Sequence, residues 1–209
     1  MGDDVITFYH AAPSRGSVVH WMLEEVGAPF RFELLDLGKN QQKDPAYLAL
    51  NPMGKVPAIV HRGVVVTEVA AICCYLADAF PAAGLAPAIA EPERGTYLRW
   101  MFFGPDCLEP AMMDRMLKRE PGLPRALGYG DFDTTMNVVA RAVTPGPYLL
   151  GERFSAADVV IGAGLRWGMA FGGVPERPEF TTYTARLAER PALKRAEAKD
   201  AELAASLAG

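Results

Sequence analysis

Asn51-Pro52-Met53-Gly54-Lys55-Val56-Pro57-Ala58-Ile59-Val60-His61-Arg62-Gly63-Val64-Val65-Val66-Thr67-Glu68-Val69 is the stretch on which the fold turns. Val56–His61 and Val64–Val66 are rich in β-branched residues, and Arg62-Gly63 between them is a tight hairpin signal. Thr67 can cap a helix running through Ala70, Ile72, Tyr75 and Leu76 to Phe80-Pro81. Upstream, Asn51-Pro52 closes a short helix over Pro45–Leu50, because proline disfavours helix in the residue before it. Val5–His10 is a short strand ending in the turn cluster Ala11-Ala12-Pro13-Ser14. From Ser17, the apolar residues Val18, Val19, Trp21, Met22, Leu23 and Val26 recur at helical spacing up to Gly27, a C-terminal glycine, and Phe30–Leu35 is the second strand. The order is β-α-β, a short helix, then β-β-α. A strand–helix–strand unit implies a parallel pair with a right-handed crossover, and the hairpin adds antiparallel strands.

Downstream the pattern changes. Ala82–Pro92, rich in alanine, proline and glycine, is a linker, and no convincing strand follows it. Glu93–Leu117 has helical spacing with an interruption at Gly104-Pro105. Leu123–Val143, Ser155–Phe171, Tyr183–Glu189 and Ala192–Leu207 complete about five helices. The expected organisation is therefore an α/β domain over residues 1–81, a linker over 82–92 and an all-α bundle over 93–209.

Composition narrows the function classes. Half of the 209 residues are hydrophobic and 22% are charged, as in a globular protein with a real core. The net charge is -4 with no basic tract, which argues against nucleic acid, and no apolar run is long enough to span a bilayer. Met1-Gly2-Asp3-Asp4 is acidic, unlike a signal peptide. Cys73, Cys74 and Cys107 form neither a CxxC nor an even disulfide framework, so reduced thiols in a cytosol are expected. His10, His20 and His61 are scattered along the chain with no ligand-type spacing, so no metal site is expected.

Three local features resemble the glutathione S-transferase family, in the family's order. Asn51-Pro52-Met53-Gly54-Lys55-Val56-Pro57 is similar to its loop before the third strand. The resemblance implies a cis bond before Pro57 and a Val56 backbone that pairs with the cysteinyl part of glutathione as an added strand would. Thr67-Glu68-Val69 matches the start of the next helix, where relatives carry Glu/Gln followed by Ser/Thr. There the acid meets the ligand's γ-glutamyl amino group, and the hydroxyl and helix amides hold its carboxylate. Val69 departs from that pattern and removes one hydrogen bond to the ligand, while its amide remains; Glu68 by itself would read as ordinary decoration of a first helical turn. Phe154-Ser155-Ala156-Ala157-Asp158, preceded by Tyr148-Leu149-Leu150-Gly151, matches the family's Ser/Thr-x-x-Asp capping box, a structural device. With Trp21–Glu25 and Tyr97-Leu98-Arg99-Trp100 the likeness spans almost the whole chain and is closest to bacterial-type members. It implies a thioredoxin-like N-terminal domain before the helical bundle, and a homodimer.

The resemblance also locates the chemistry. A thiol with a pKa of about 8.5 needs a hydrogen-bond donor and positive field to ionise near neutral pH. Family members place Tyr, Ser or Cys at the end of the first strand or the start of the first helix. Here Ser14 is the first candidate, with Arg15 adding field; Ser17 is second, though it also suits a helix N-cap; Tyr9 is third, though it also suits a strand core. No cysteine stands there, which disfavours the classes that form a mixed disulfide with glutathione. Gln42, Lys43 and Lys55 lie where relatives bind the glycine carboxylate, although loop lysines are commonly just solvated. Phe103, Cys107 and Met112 are candidates to line a site for a small hydrophobic electrophile, against the commoner reading as helix core. Three functions remain open: a detoxifying transferase, a glutathione-dependent disulfide reductase or peroxidase, and a non-enzymatic binding module on the same scaffold.

Overall fold

A computed structural model of the chain describes residues 4–120 and 122–207. Met1-Gly2-Asp3, the core of the reading against a signal peptide, lies outside the described residues. The chain divides into two compact units: the described parts of Met1–Ala83 and Pro191–Gly209 form one, and Gly84–Arg190 forms the other.

The first unit is built on a four-stranded sheet in the order β2-β1-β3-β4. β1 (Ile6–His10) pairs in parallel with β2 (Phe30–Leu34) across α1 (Gly16–Val26). β3 (Ala58–His61) runs antiparallel to both β1 and β4 (Val64–Thr67), so the sheet is mixed as the strand order predicts. The β3–β4 turn places Arg62 and Gly63 both at positive φ, 50° and 76°, the two-residue hairpin geometry that matches strand twist. α2 (Pro45–Leu48) and α3 (Val69–Ala79) complete the thioredoxin-like arrangement. Phe8, His10, His20, Phe30 and Phe32 stack or tilt against one another at ring-centroid separations of 4.9–6.3 Å, forming an aromatic layer between β1, β2 and α1.

The second unit holds α4 (Glu93–Phe103), α5 (Glu109–Met116), α6 (Phe132–Val143), α7 (Ala156–Ala170) and α8 (Pro178–Ala188). The interruption expected at Gly104-Pro105 is a wide π-type turn, Gly104–Leu108, between α4 and α5. The helix expected over 123–143 is shorter, because Gly128 and Gly130 sit in the lead-in and Asp131 caps the helix only from Phe132, accepting the Thr134 amide at 2.8 Å.

Two further boundaries differ from the sequence reading. Thr67 is the last residue of β4, and Glu68 takes the cap position of α3 with no side-chain cap bond. α9 (Pro191–Leu207) groups with the α/β unit, packing on α1, whereas the 93–209 boundary put it in the bundle. Periodicity shows that a helix has an apolar face but not which partner covers it.

α7 is covered on nearly every side, and its N-terminus organises the helical unit. Ser155 and Asp158 form the expected capping box, with the Ser155 amide donating to Asp158 Oδ2 at 2.9 Å. Asp158 Oδ1 also accepts the Leu149 amide and the Tyr183 hydroxyl, both at 2.8 Å. Burial pushes the Asp158 carboxyl up, against the pull of those hydrogen bonds, and burial beside Asp158 pushes the Tyr183 phenol up. One fully buried carboxylate therefore joins the Tyr148–Leu150 turn, α7 and α8. Asp158→Ala leaves several buried donors without an acceptor, at about 1–3 kcal/mol each. Thermal unfolding followed by circular dichroism should show the variant losing well over 5 °C, or failing to accumulate folded.

Candidate functional site

At the end of β1 the chain turns through buried Ala11 and Ala12 and a cis Ala12–Pro13 bond to reach Ser14. The Ser14 carbonyl accepts the Ser17 amide at 3.2 Å, and Ser14 Oγ accepts the Gly16 amide at 2.9 Å. This local side-chain-to-backbone bond holds the hydroxyl at the N-terminal end of α1. A hydroxyl has one proton to donate and two lone pairs. The Gly16 amide occupies a lone pair, and the described residues offer the proton no acceptor. Ser14 therefore presents an uncommitted O–H donor beside the positive end of a helix.

The other two hydroxyl candidates are placed differently. Ser17 is not the helix cap: α1 begins at Gly16 with Arg15 in the cap position, and the Ser17 hydroxyl bonds Asp200. Tyr9 is half-buried, its ring 5.4 Å from that of Tyr47.

The loop before β3 is held by a small hydrogen-bond net. Asn51 Nδ2 and the Tyr47 hydroxyl both donate to the Lys55 carbonyl, at 2.8 and 2.5 Å, and Asn51 Oδ1 accepts the Met53 amide at 3.1 Å. Gly54 has φ 59°, and a Cβ there would lie 2.8 Å from the Gln42 carbonyl and 2.7 Å from Lys43 Nζ. Both the dihedral and the space require glycine. Lys43 Nζ reaches the Met53 carbonyl at 3.2 Å, so Gln42 and Lys43 lie against this loop, which carries Lys55. The Val56–Pro57 bond is cis, and the described residues offer no hydrogen-bond partner to the Val56 amide or carbonyl.

Glu68 follows β4 at φ 68°, ψ 123°, a conformation that non-glycine residues adopt at a cost of about 1–3 kcal/mol. Its exposed carboxylate makes no bond to the protein among the described residues. The first-turn amides of α3, from Val69 onward, are free of intrahelical partners as at any helix start. An acceptor for an amine and a cradle for a carboxylate thus stand side by side.

The cluster that sequence spacing does not show is His10, His20 and Asp200, whose candidate ligand atoms all lie within 4.8 Å of one another. His10 Nε2 and His20 Nδ1 both meet Asp200 Oδ1, at 3.1 and 2.6 Å. The histidines are not scattered in space, as their separation in sequence suggested: β1, α1 and α9 carry them to one point. Burial raises the Asp200 carboxyl, but hydrogen bonds from His10, His20 and Ser17 prevail and hold it well below the usual carboxylate range. Such a set can hold a cation, or close on itself through hydrogen bonds as here. No sequence period relates positions 10, 20 and 200, so only the fold reveals the set.

In the helical unit, Phe103 is half-buried with its ring 5.2 Å from Trp100. Cys107 is half-buried, its thiol pushed up by burial and by Asp106. Met112 is 2% exposed and packs against Gly168 and Gly173, a core position. A surface cleft of about 400 Å³ in this unit is lined by Arg99, Trp100, Val138, Arg141, Ala142, Pro145 and Leu149. Cys73, Cys74 and Cys107 form no disulfide, and burial pushes the Cys73 thiol beyond reach of neutral-pH ionisation.

The strain at Glu68 yields a test independent of any ligand. Glu68→Gly removes it, so the variant should melt at the same temperature as the parent or slightly higher. A clear loss of melting temperature in a differential scanning experiment would show that the backbone there is unstrained.

Residues 4–78 match the family model of the glutathione S-transferase N-terminal domain. The glutathione S-transferase GstA of Escherichia coli O157:H7 is 28% identical over 175 residues, 82% of this chain and 87% of that protein. The disulfide-bond oxidoreductase YfcG of Escherichia coli K12 is 27% identical over 207 residues, 90% of this chain and 92% of that protein. The crystal structure of a glutathione transferase from Methylococcus capsulatus superposes with a TM-score of 0.77 at 27% identity, covering 94% of this chain and 98% of that one. The sheet order, the turned Val56–Pro57 peptide and these likenesses agree: residues 4–78 form a glutathione S-transferase N-terminal domain, and the likeness to glutathione transferases extends over most of the chain.

Proposed function

We propose that the chain is a glutathione transferase in which Ser14 stabilises the glutathione thiolate. The observation that carries this reading is the uncommitted O–H of Ser14 at the N-terminal end of α1, the position a developing thiolate favours. The cysteinyl backbone of glutathione pairs with the Val56 amide and carbonyl. Glu68 takes the γ-glutamyl amine, the α3 amides take the adjoining carboxylate, and Gln42, Lys43 and Lys55 surround the glycine carboxylate. The thiol proton leaves to solvent. The sulfur then forms a bond to an electrophilic carbon, and the leaving group departs with its electron pair. The protein supplies binding, orientation and a lowered thiol pKa rather than a covalent intermediate. A small hydrophobic electrophile, with Phe103 and Cys107 as candidate contacts, completes the reaction. Detoxification in a reducing cytosol and action as a homodimer belong to the same reading, and a sedimentation mass of two chains tests the last.

One observation favours a second reading: the likeness to a disulfide-bond oxidoreductase extends over 207 residues. With no cysteine between His10 and Val18, exchange would use two glutathione thiolates in turn. The first displaces one thiol from a disulfide, and the second releases the other thiol as oxidised glutathione forms.

Calorimetric titration with glutathione tests the ligand assignment. Glu68→Ala removes a charge-assisted bond of about 1.5–3 kcal/mol and should weaken binding at least tenfold. Val69→Ser restores a hydroxyl worth about 0.5–1.5 kcal/mol and should tighten it two- to tenfold. Turnover of 1-chloro-2,4-dinitrobenzene against bis(2-hydroxyethyl) disulfide then separates the two reactions. Faster conjugation supports the transferase, and disulfide turnover alone supports the reductase. An absence of glutathione binding contradicts both and leaves a non-enzymatic module.

A further inference from the structure

Asp200 lies 190 residues from His10 in sequence, yet it is the hub of the polar cluster beneath the Ser14 loop. Its Oδ1 is shared by His10 Nε2 at the end of β1 and His20 Nδ1 in α1, and Ser17 in the first turn of α1 bonds the same carboxylate. Both imidazoles are essentially inaccessible, and the Asp200 side chain is 13% exposed. The far side of the His10 ring faces the loop itself. A Cβ built on Gly16 would lie 2.2 Å from His10 Nδ1 and 3.0 Å from Ser14 Oγ. That contact leaves no room for any side chain at position 16 and sets the backbone whose amide holds Ser14 Oγ. His10 Nδ1 is buried with no hydrogen-bond partner, so among the described residues the ring is oriented through Nε2 and its bond to Asp200. α9 is further pinned to α1 by Arg195, whose Nε donates to Glu24 at 2.6 Å.

We propose that Asp200 is a positioning residue: from the last helix, through His10 and Gly16, it fixes where the Ser14 hydroxyl stands. The inference rests on the assignment of Ser14 as the thiolate donor, deepens it, and brings α9 into the site's construction. The cluster's role is mechanical. Removing a negative charge near the site would by itself favour a thiolate, whereas losing the loop's position disfavours it, so the two effects have opposite signs.

The test compares the full-length protein with Asp200→Asn, which keeps shape but removes the charge that strengthens both histidine bonds, and with Asp200→Glu, which keeps the carboxylate. Amide hydrogen exchange over residues 11–18 needs no ligand. Asp200→Asn should speed exchange of the Gly16 amide about tenfold or more while the β2 and β3 amides keep their protection. The thiol of bound glutathione, followed by ultraviolet absorbance, should titrate about one pKa unit higher in Asp200→Asn, lowering the thiolate fraction about tenfold at neutral pH. Asp200→Glu should recover most of both effects. Unchanged loop exchange overturns the proposal whether or not the protein binds glutathione. A lower thiol pKa overturns it in favour of a field effect. Loss of protection in the wild-type loop on treatment with a chelator would overturn it in favour of a metal held by His10, His20 and Asp200. Should the wild type bind no glutathione while Asp200→Asn still loosens the loop, the transferase reading fails and the positioning role of Asp200 stands.

Discussion

The ring of His10 and the backbone of Gly16 stand so close that no side chain could be added at position 16. This contact joins the end of the central strand to the start of the first helix and leaves the turn between them little freedom. Ser14 sits on that turn with its Oγ tied to the Gly16 amide. Everything proposed for the chemistry depends on a hydroxyl of low mobility presented at a helix N-terminus. Pre-organisation of this kind favours a charged sulfur because the donor and the helix amides are in place before the charge appears.

Around that turn, each further part of the site uses a different local device. The loop before β3 is fixed by two donors on one carbonyl and by a glycine that only glycine can replace. The start of α3 is fixed by an uncommon backbone conformation at Glu68. Such a conformation persists when its surroundings over-determine it, and it commonly accompanies a functional role. The helical unit has its own organiser, the Asp158 carboxylate, which serves its fold rather than the chemistry.

Much of this was legible in the sequence because it is local. The hairpin at Arg62-Gly63, the capping box at Ser155 and Asp158, and the break at Gly104-Pro105 depend on residues a few positions apart. The Ser14, Val56 and Glu68 candidates come from the family resemblance, which local motifs carry. Long-range pairings were not legible. Nothing near Asp200 in sequence distinguishes it from the other acids of α9, and His10 and His20 read as isolated residues until three elements bring them together. The expected placement of α9 in the helical bundle failed for the same reason. Ser17 suits both a thiol donor and a helix cap by sequence, and only the fold shows it beside a distant carboxylate. Met112 fits a core stripe and a site lining equally by spacing, and only its burial separates them.

The central claim is that Ser14 lowers the pKa of a bound thiol. Ultraviolet titration of glutathione bound to the wild type and to Ser14→Ala measures it directly. A thiolate signal at neutral pH in the wild type, displaced upward by about one unit or more in Ser14→Ala with glutathione still bound, is the expected result. An unshifted thiolate in Ser14→Ala would contradict it and return the role to Tyr9 or to the helix field alone.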